Sequence, residues 1–133
     1  MPSNKVALRL SELEKALSRL QEILDTPPNH IGRVDAMIQR FEFSFELMWK
    51  SAKACLELQG IEASSPREVL QKSYGLKWID NEALWLMMLN DRNLTSHTYH
   101  EAIANEIMGR IQSYHHAMTL FLTELSEVQK DTK

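Results

Sequence analysis

Between Asp91 and Tyr99 the chain runs Asp91-Arg92-Asn93-Leu94-Thr95-Ser96-His97-Thr98-Tyr99, an arginine, an asparagine, small hydroxyls, a histidine and a tyrosine within nine residues. They follow directly on the most apolar stretch of the sequence, Leu84 to Leu89. Arginine and histidine suffice for cleaving a phosphodiester without a metal. An imidazole exchanges its proton near neutral pH, and a permanent guanidinium holds the negative charge that builds on phosphorus. A continuous helix would defeat this pairing, because five residues turn about 140° and Arg92 and His97 would face apart. A turn near Ser96 relieves that. Thr98 then caps a following helix, with His97 just outside it and Tyr99 just inside, beside amide groups that attract anions. Glu101, closing a capping box with Thr98, weakens that attraction. The same residues also admit a plain reading in which Asp91 and Arg92 are solvated, Asn93 and Ser96 bond to nearby backbone, and His97 occupies a helix boundary.

The elements that must position this segment are helical. The chain has 133 residues with only 4 Gly and 4 Pro, about half the usual share of the two together, so its elements are few and long. The length suits a single domain over residues 1–133, with a looser tail from 129. Val6, Leu10, Leu13, Leu17, Leu20 and Leu24 form one stripe of a first helix that Pro27-Pro28 ends. Phe41 to Leu47 alternates like a strand, but Val34, Ile38, Phe41, Phe45, Met48, Ala52 and Cys55 keep helical spacing as far as Gly60. Phe43, Leu47, Ala54 and Leu58 add a second apolar edge, as expected of a central helix. Ser65-Pro66-Arg67-Glu68 opens a short helix to about Tyr74, with serine as cap and glutamate closing the box. Asp80 is the expected cap of a fourth helix, apolar nearly all round and so either wrapped or an interface. The last helix carries Ile103, Ile107, Ile111, Tyr114, Met118, Phe121, Leu125 and Val128. The fold predicted is an all-α, up-and-down antiparallel bundle of four long helices and one short one.

Several chemistries are excluded on composition. Four scattered glycines cannot form a phosphate-cradling loop, so no nucleotide cofactor is expected. Cys55, the single cysteine, sits in an apolar helical pattern and reads as a small core residue. No Glu or Asp is followed by His three residues later, which removes the di-metal pattern of helical bundles. His97 with His100, or His115 with His116, makes only a weak zinc signal, and no metal is expected. The absence of a long apolar run predicts a cytoplasmic chain with no membrane span. A net charge of −3 supplies no general attraction to RNA, so any RNA contact depends on locally placed cations, with Arg67, Lys72 and Lys77 as candidates.

Arg92-Asn93-Leu94-Thr95-Ser96-His97 matches the Arg-x4-His signature of the HEPN superfamily, and His97-Thr98-Tyr99 extends it to the form of HepT-type proteins. Phe43-Ser44-Phe45-Glu46-Leu47-Met48-Trp49-Lys50, Ser65 to Leu70 and Trp85 to Asn93 resemble the nucleotidyltransferase substrate-binding proteins of that superfamily. The resemblance implies a helical bundle that forms a homodimer and works with a separate minimal nucleotidyltransferase. It implies catalytic roles for Arg92 and His97 in a metal-independent endoribonuclease site composed across two protomers, with Asn93 and Ser96 in support. It also implies that Tyr99 accepts AMP from the partner, as in toxin-antitoxin pairs. The alternative it leaves is a noncatalytic subunit that binds substrate for the nucleotidyltransferase.

Overall fold

The computed structural model describes residues 2–97 and 101–131, with the side chains of residues 2–4 and 97 outside that description. Its helices are α1 (Pro2–Leu24), α2 (Arg33–Leu58), α3 (Pro66–Gly75), α4 (Glu82–Leu94), a 3₁₀ turn (Thr95–His97) and α5 (Glu101–Asp131). Among the described residues there is no strand. The alternating Phe41–Leu47 segment lies inside α2: Phe41 and Phe45 are buried on its inner face and Phe43 is 58% exposed. A helix resolves the alternation because residues four apart share a face while the one between them turns away.

α1, α2 and α5 pack on one another, α3 lies on α2 and α4, and α4 touches α2 and α5 more sparingly. Chain directions follow from individual contacts. Arg33 reaches the Leu24 carbonyl and Arg40 the Arg19 carbonyl, so α2 runs antiparallel to α1. Phe41 stacks on Tyr114 and Cys55 lies at the Leu125 carbonyl, so α2 and α5 run the same way. Trp85 packs edge-on against Phe121 at 5.1 Å while Asp91 meets Arg110, which sets α4 antiparallel to α5. This is the alternating order of an up-and-down bundle. The stripe of α1 is buried from Val6 to Leu20, and Leu13, Leu20, Phe41, Phe45, Ile111 and Tyr114 are fully enclosed. Cys55 is among them, and burial pushes its thiol up to about 12, which suits a core residue and not a nucleophile.

The ends of the elements refine the predicted boundaries. Asn81, not Asp80, caps α4 by accepting from the Leu84 amide. Ser65 caps α3 as expected, but the Glu68 carboxylate returns to the amide of Ser64, one residue further out than a closed box requires. That bond is the main reason its carboxyl titrates below the ordinary range. α5 continues to Asp131, so residues 129–131 are helical and not a loose tail. At 13 residues, α4 is shorter than the long helix expected of it.

α2 and α3 end in the same motif with different residues. After α2, Gly60 adopts φ 76 and the Ile61 amide reaches back to Leu56. After α3, Lys77 takes the equivalent place with φ 64, and the Trp78 amide reaches Ser73. A side chain in the left-handed region costs about 1 kcal/mol, a cost glycine avoids. Lys77→Gly should therefore stabilise the protein by up to about 1 kcal/mol and Gly60→Ala should destabilise it by about 1 kcal/mol, read from urea midpoints.

Candidate functional site

Arg92 stands in the last turn of α4, where its charge complements the helix dipole. Its side chain is only 27% exposed and is directed at α2. Nη1 lies 3.4 Å from Glu42 Oε2, and Nε lies 3.6 Å from Glu46 Oε1. Glu42 and Glu46 are four apart and so present both carboxylates on one side of α2. Arg92 Nη1 also donates to Thr95 Oγ1 at 3.3 Å, and that hydroxyl lies 2.8 Å from Glu42 and 2.6 Å from the Arg92 carbonyl. Glu42 thus takes up both the arginine and the first residue of the 3₁₀ turn. Among the described residues the buried Arg92 Nε makes no hydrogen bond, and ion pairs longer than a hydrogen bond face much of the guanidinium.

The residue before it is anchored more tightly. Asp91 is buried, and Arg110 of α5 donates to it twice, Nε at 2.7 Å and Nη2 at 2.9 Å. The enclosed Tyr114 hydroxyl donates to the same carboxylate. Desolvation, and then the bond to Asp91, raises the Tyr114 phenol above its ordinary value. Arg110 is likewise held more firmly protonated, chiefly by its bond to Asp91. The sequence reading of Asp91 as solvated is corrected here. A carboxylate can enter a bundle interior when a two-pronged guanidinium and a phenol satisfy its oxygens together.

α4 ends at Leu94 and the backbone tightens into the 3₁₀ turn at Thr95–His97, where the sequence placed a turn near Ser96. Ser96 is exposed and its hydroxyl donates to the Asn93 carbonyl at 3.0 Å, the local bond expected of it. Asn93 is exposed. The His97 side chain, Tyr99 and the Thr98 cap lie outside the described residues. Arg67, Lys72 and Lys77 are not the neighbours of Arg92 in any described contact. Lys72 bonds the Glu62 carbonyl and pairs with Glu68, and the groups beside Arg92 are carboxylates. Motif reasoning missed Glu42, Glu46, Thr95 and the Asp91 anchor. The signal available was two glutamates four apart in a largely apolar stretch of α2. His115 and His116 diverge, His115 bonding the Leu17 carbonyl at 2.9 Å and His116 lining a groove beside Trp85. Among the described residues no three His, Cys, Asp or Glu side chains converge as a metal site, and no helix is long and apolar enough to cross a membrane.

Apolar side chains remain uncovered on the elements that carry the site. Phe43, next to Glu42, is 58% exposed and Met87 of α4 is 48% exposed. The second apolar edge of α2 and the all-round apolar character of α4 are thus only partly used within one chain.

Comparison with known proteins gives four findings. The family model "Nucleotidyltransferase substrate binding protein like" matches residues 8–127. A Thermus thermophilus protein of known crystal structure is 37% identical with a TM-score of 0.80, over 85% of this chain and 98% of its own. A Haemophilus influenzae structure, described as revealing the fold of a substrate binding domain of a nucleotidyltransferase, superposes with a TM-score of 0.67 over 93% of this chain and 98% of its own. At 22% identity that likeness is one of fold. The curated Haemophilus influenzae protein named Probable ribonuclease HepT is 27% identical over 95 residues, 68% of this chain, and the chain spans 65% of that relative's length.

The raised Tyr114 phenol predicts an alkaline dependence of stability. The folded protein binds this proton more tightly than the unfolded chain, whose tyrosines titrate near about 10. The stabilisation is complete below that value and declines as the pH rises through the folded one. Tyr114→Phe should cost about 1.5–3 kcal/mol at neutral pH, the usual range for a bond to a charged group, and should flatten the loss seen in urea titrations as the pH rises above about 10.

Proposed function

The chain belongs to the nucleotidyltransferase substrate-binding, HepT-like family of HEPN proteins, and from that premise we propose that it is the HEPN subunit of a two-component system with a separate minimal nucleotidyltransferase. Its own activity in this reading is metal-independent cleavage of RNA by Arg92 and His97 of a homodimer. The observation that carries the reading is the break in α4 after Leu94, which puts Arg92 on the helix and His97 on the tightened turn that follows.

In the reaction, the ribose 2′-oxygen forms a bond to phosphorus as the bond to the 5′-oxygen breaks. The 2′-hydroxyl proton leaves to a base and a proton reaches the departing 5′-oxygen, with imidazole serving this exchange. The products are a cyclic phosphate and a 5′-hydroxyl. The Arg92 guanidinium stabilises the added charge on the phosphate oxygens. The exposed Phe43 and Met87 favour a second protomer covering the α2 and α4 face, which would complete a composite site. For silencing, the Tyr99 oxygen attacks the α-phosphorus of ATP on the partner, pyrophosphate leaves and the phenolic proton is released. AMP so attached adds negative charge beside His97 and occupies the phosphate position.

One observation favours the second reading, a noncatalytic substrate-binding subunit: Arg92 is already paired with Glu42 and Glu46, and a phosphate must compete with two carboxylates for it. The test is RNA cleavage in EDTA by the wild type and His97→Ala, both verified as dimers. The ribonuclease reading expects a loss of at least about 100-fold in the variant, the scale of general acid-base catalysis. Equal rates would favour the binding subunit. Incubation with the partner and ATP should add the mass of AMP in the wild type and none in Tyr99→Phe; a gain retained in that variant moves the acceptor elsewhere.

A further inference from the structure

Asp91 and Arg92 are consecutive on α4, so their side chains leave the helix about 100° apart and fixing one azimuth fixes the other. The contacts made by Arg92 itself are long: 3.3 Å to Thr95 and 3.4 and 3.6 Å to the two glutamates. Those made by Asp91 are short and come from two residues of α5, Arg110 and Tyr114. α4 touches α2 and α5 sparingly, and its ring contact to Phe121 is made from Trp85, nearly two turns before Asp91. Buried Met88 and Leu89 seat the middle of α4 on the core and Leu94 packs against it at the end, while the turn carrying Asp91 and Arg92 adds polar contacts that fix its azimuth.

Tyr114 also faces α2. Its ring stacks on Phe41 at 5.6 Å, and the next residue of α2, Glu42, is the one that takes up Arg92 and Thr95. A closed circuit results: Asp91 to Tyr114, Tyr114 to Phe41, Phe41 along α2 to Glu42, Glu42 to Arg92, and Arg92 back along α4 to Asp91. We propose that Asp91, Arg110 and Tyr114 form a brace that positions Arg92, holding the guanidinium against Glu42 at the start of the 3₁₀ turn. These are positioning residues that act through α4 and do not touch RNA. A buried ion pair is a poor source of stability compared with an apolar cluster of the same volume, and what this one supplies is a fixed azimuth for the residue beside it.

The brace rests on the ribonuclease reading only in naming what Arg92 acts upon, and its test has a readout that does not depend on RNA. In the full-length protein, the Nε–H resonance of Arg92, assigned by its loss in Arg92→Lys, reports hydrogen exchange at the buried Nε. Tyr114→Phe and Asp91→Asn, each checked for a native amide spectrum, should speed that exchange by about tenfold as the end of α4 loosens. Unchanged exchange in both variants overturns the brace. On RNA, either variant should lower kcat about tenfold at constant KM, the effect of a misplaced catalytic group, and should add nothing in an Arg92→Ala background. The same fall in both backgrounds would mark a general structural loss and overturn positioning. A wild type that does not cleave RNA removes the ribonuclease reading alone, and the exchange rates then decide the brace.

Discussion

One carboxylate, Asp91, is the constraint on which the end of α4 depends. It is enclosed against α5, and its oxygens are satisfied by a two-pronged guanidinium and a phenol. Each partner is itself fixed on α5, whose apolar stripe from Ile107 to Leu125 is buried throughout. Removing water from a carboxylate is costly unless its oxygens are filled, so the position of Asp91 is narrowly determined once α5 is in place. The helix that bears it is seated on the core by Trp85, Met88 and Leu89, and Asp91 adds a polar fix at its C-terminal turn.

The three-helix core of α1, α2 and α5 supplies that fixed frame. It is an apolar assembly, built on Leu13, Leu20, Phe41, Phe45, Ile111 and Tyr114, with burial as the dominant favourable term. The polar features of the site are confined to the seam where α4 meets this frame: Glu42 and Glu46 on one side, Asp91 and Arg92 on the other, Arg110 and Tyr114 beneath. Within one chain, charge around Arg92 is balanced toward the negative, since two carboxylates face one guanidinium. Any anion that uses this arginine meets a site already occupied by carboxylates, a different electrostatic situation from an open basic groove.

The helical content and the place where α4 breaks were legible in the residues. Few glycines and prolines, apolar spacing of three and four, and capping residues at Ser65 act locally or through short-range periodicity, so neighbours along the chain suffice to reveal them. The strand-like run at Phe41–Leu47 was resolved by the same means, because the flanking spacing extended well beyond it. Boundaries were less legible: Asn81 displaced Asp80 as the cap of α4, since adjacent capping residues are told apart only by the backbone that forms.

What the sequence determined by itself was a helical bundle and the Arg-x4-His segment; what tertiary structure decided was the company each side chain keeps. Asp91 read as solvated because nothing near it in sequence could pay for burying a carboxylate, and its partners lie 19 and 23 residues away. Glu42 is 53 residues from Thr95, and only the packing of α4 along α2 brings them together. Local chemistry sets which helix forms and where it stops, but the pairing of charges depends on how helices rotate against one another. That rotation is a property of the assembled core and is written in no single segment of the chain.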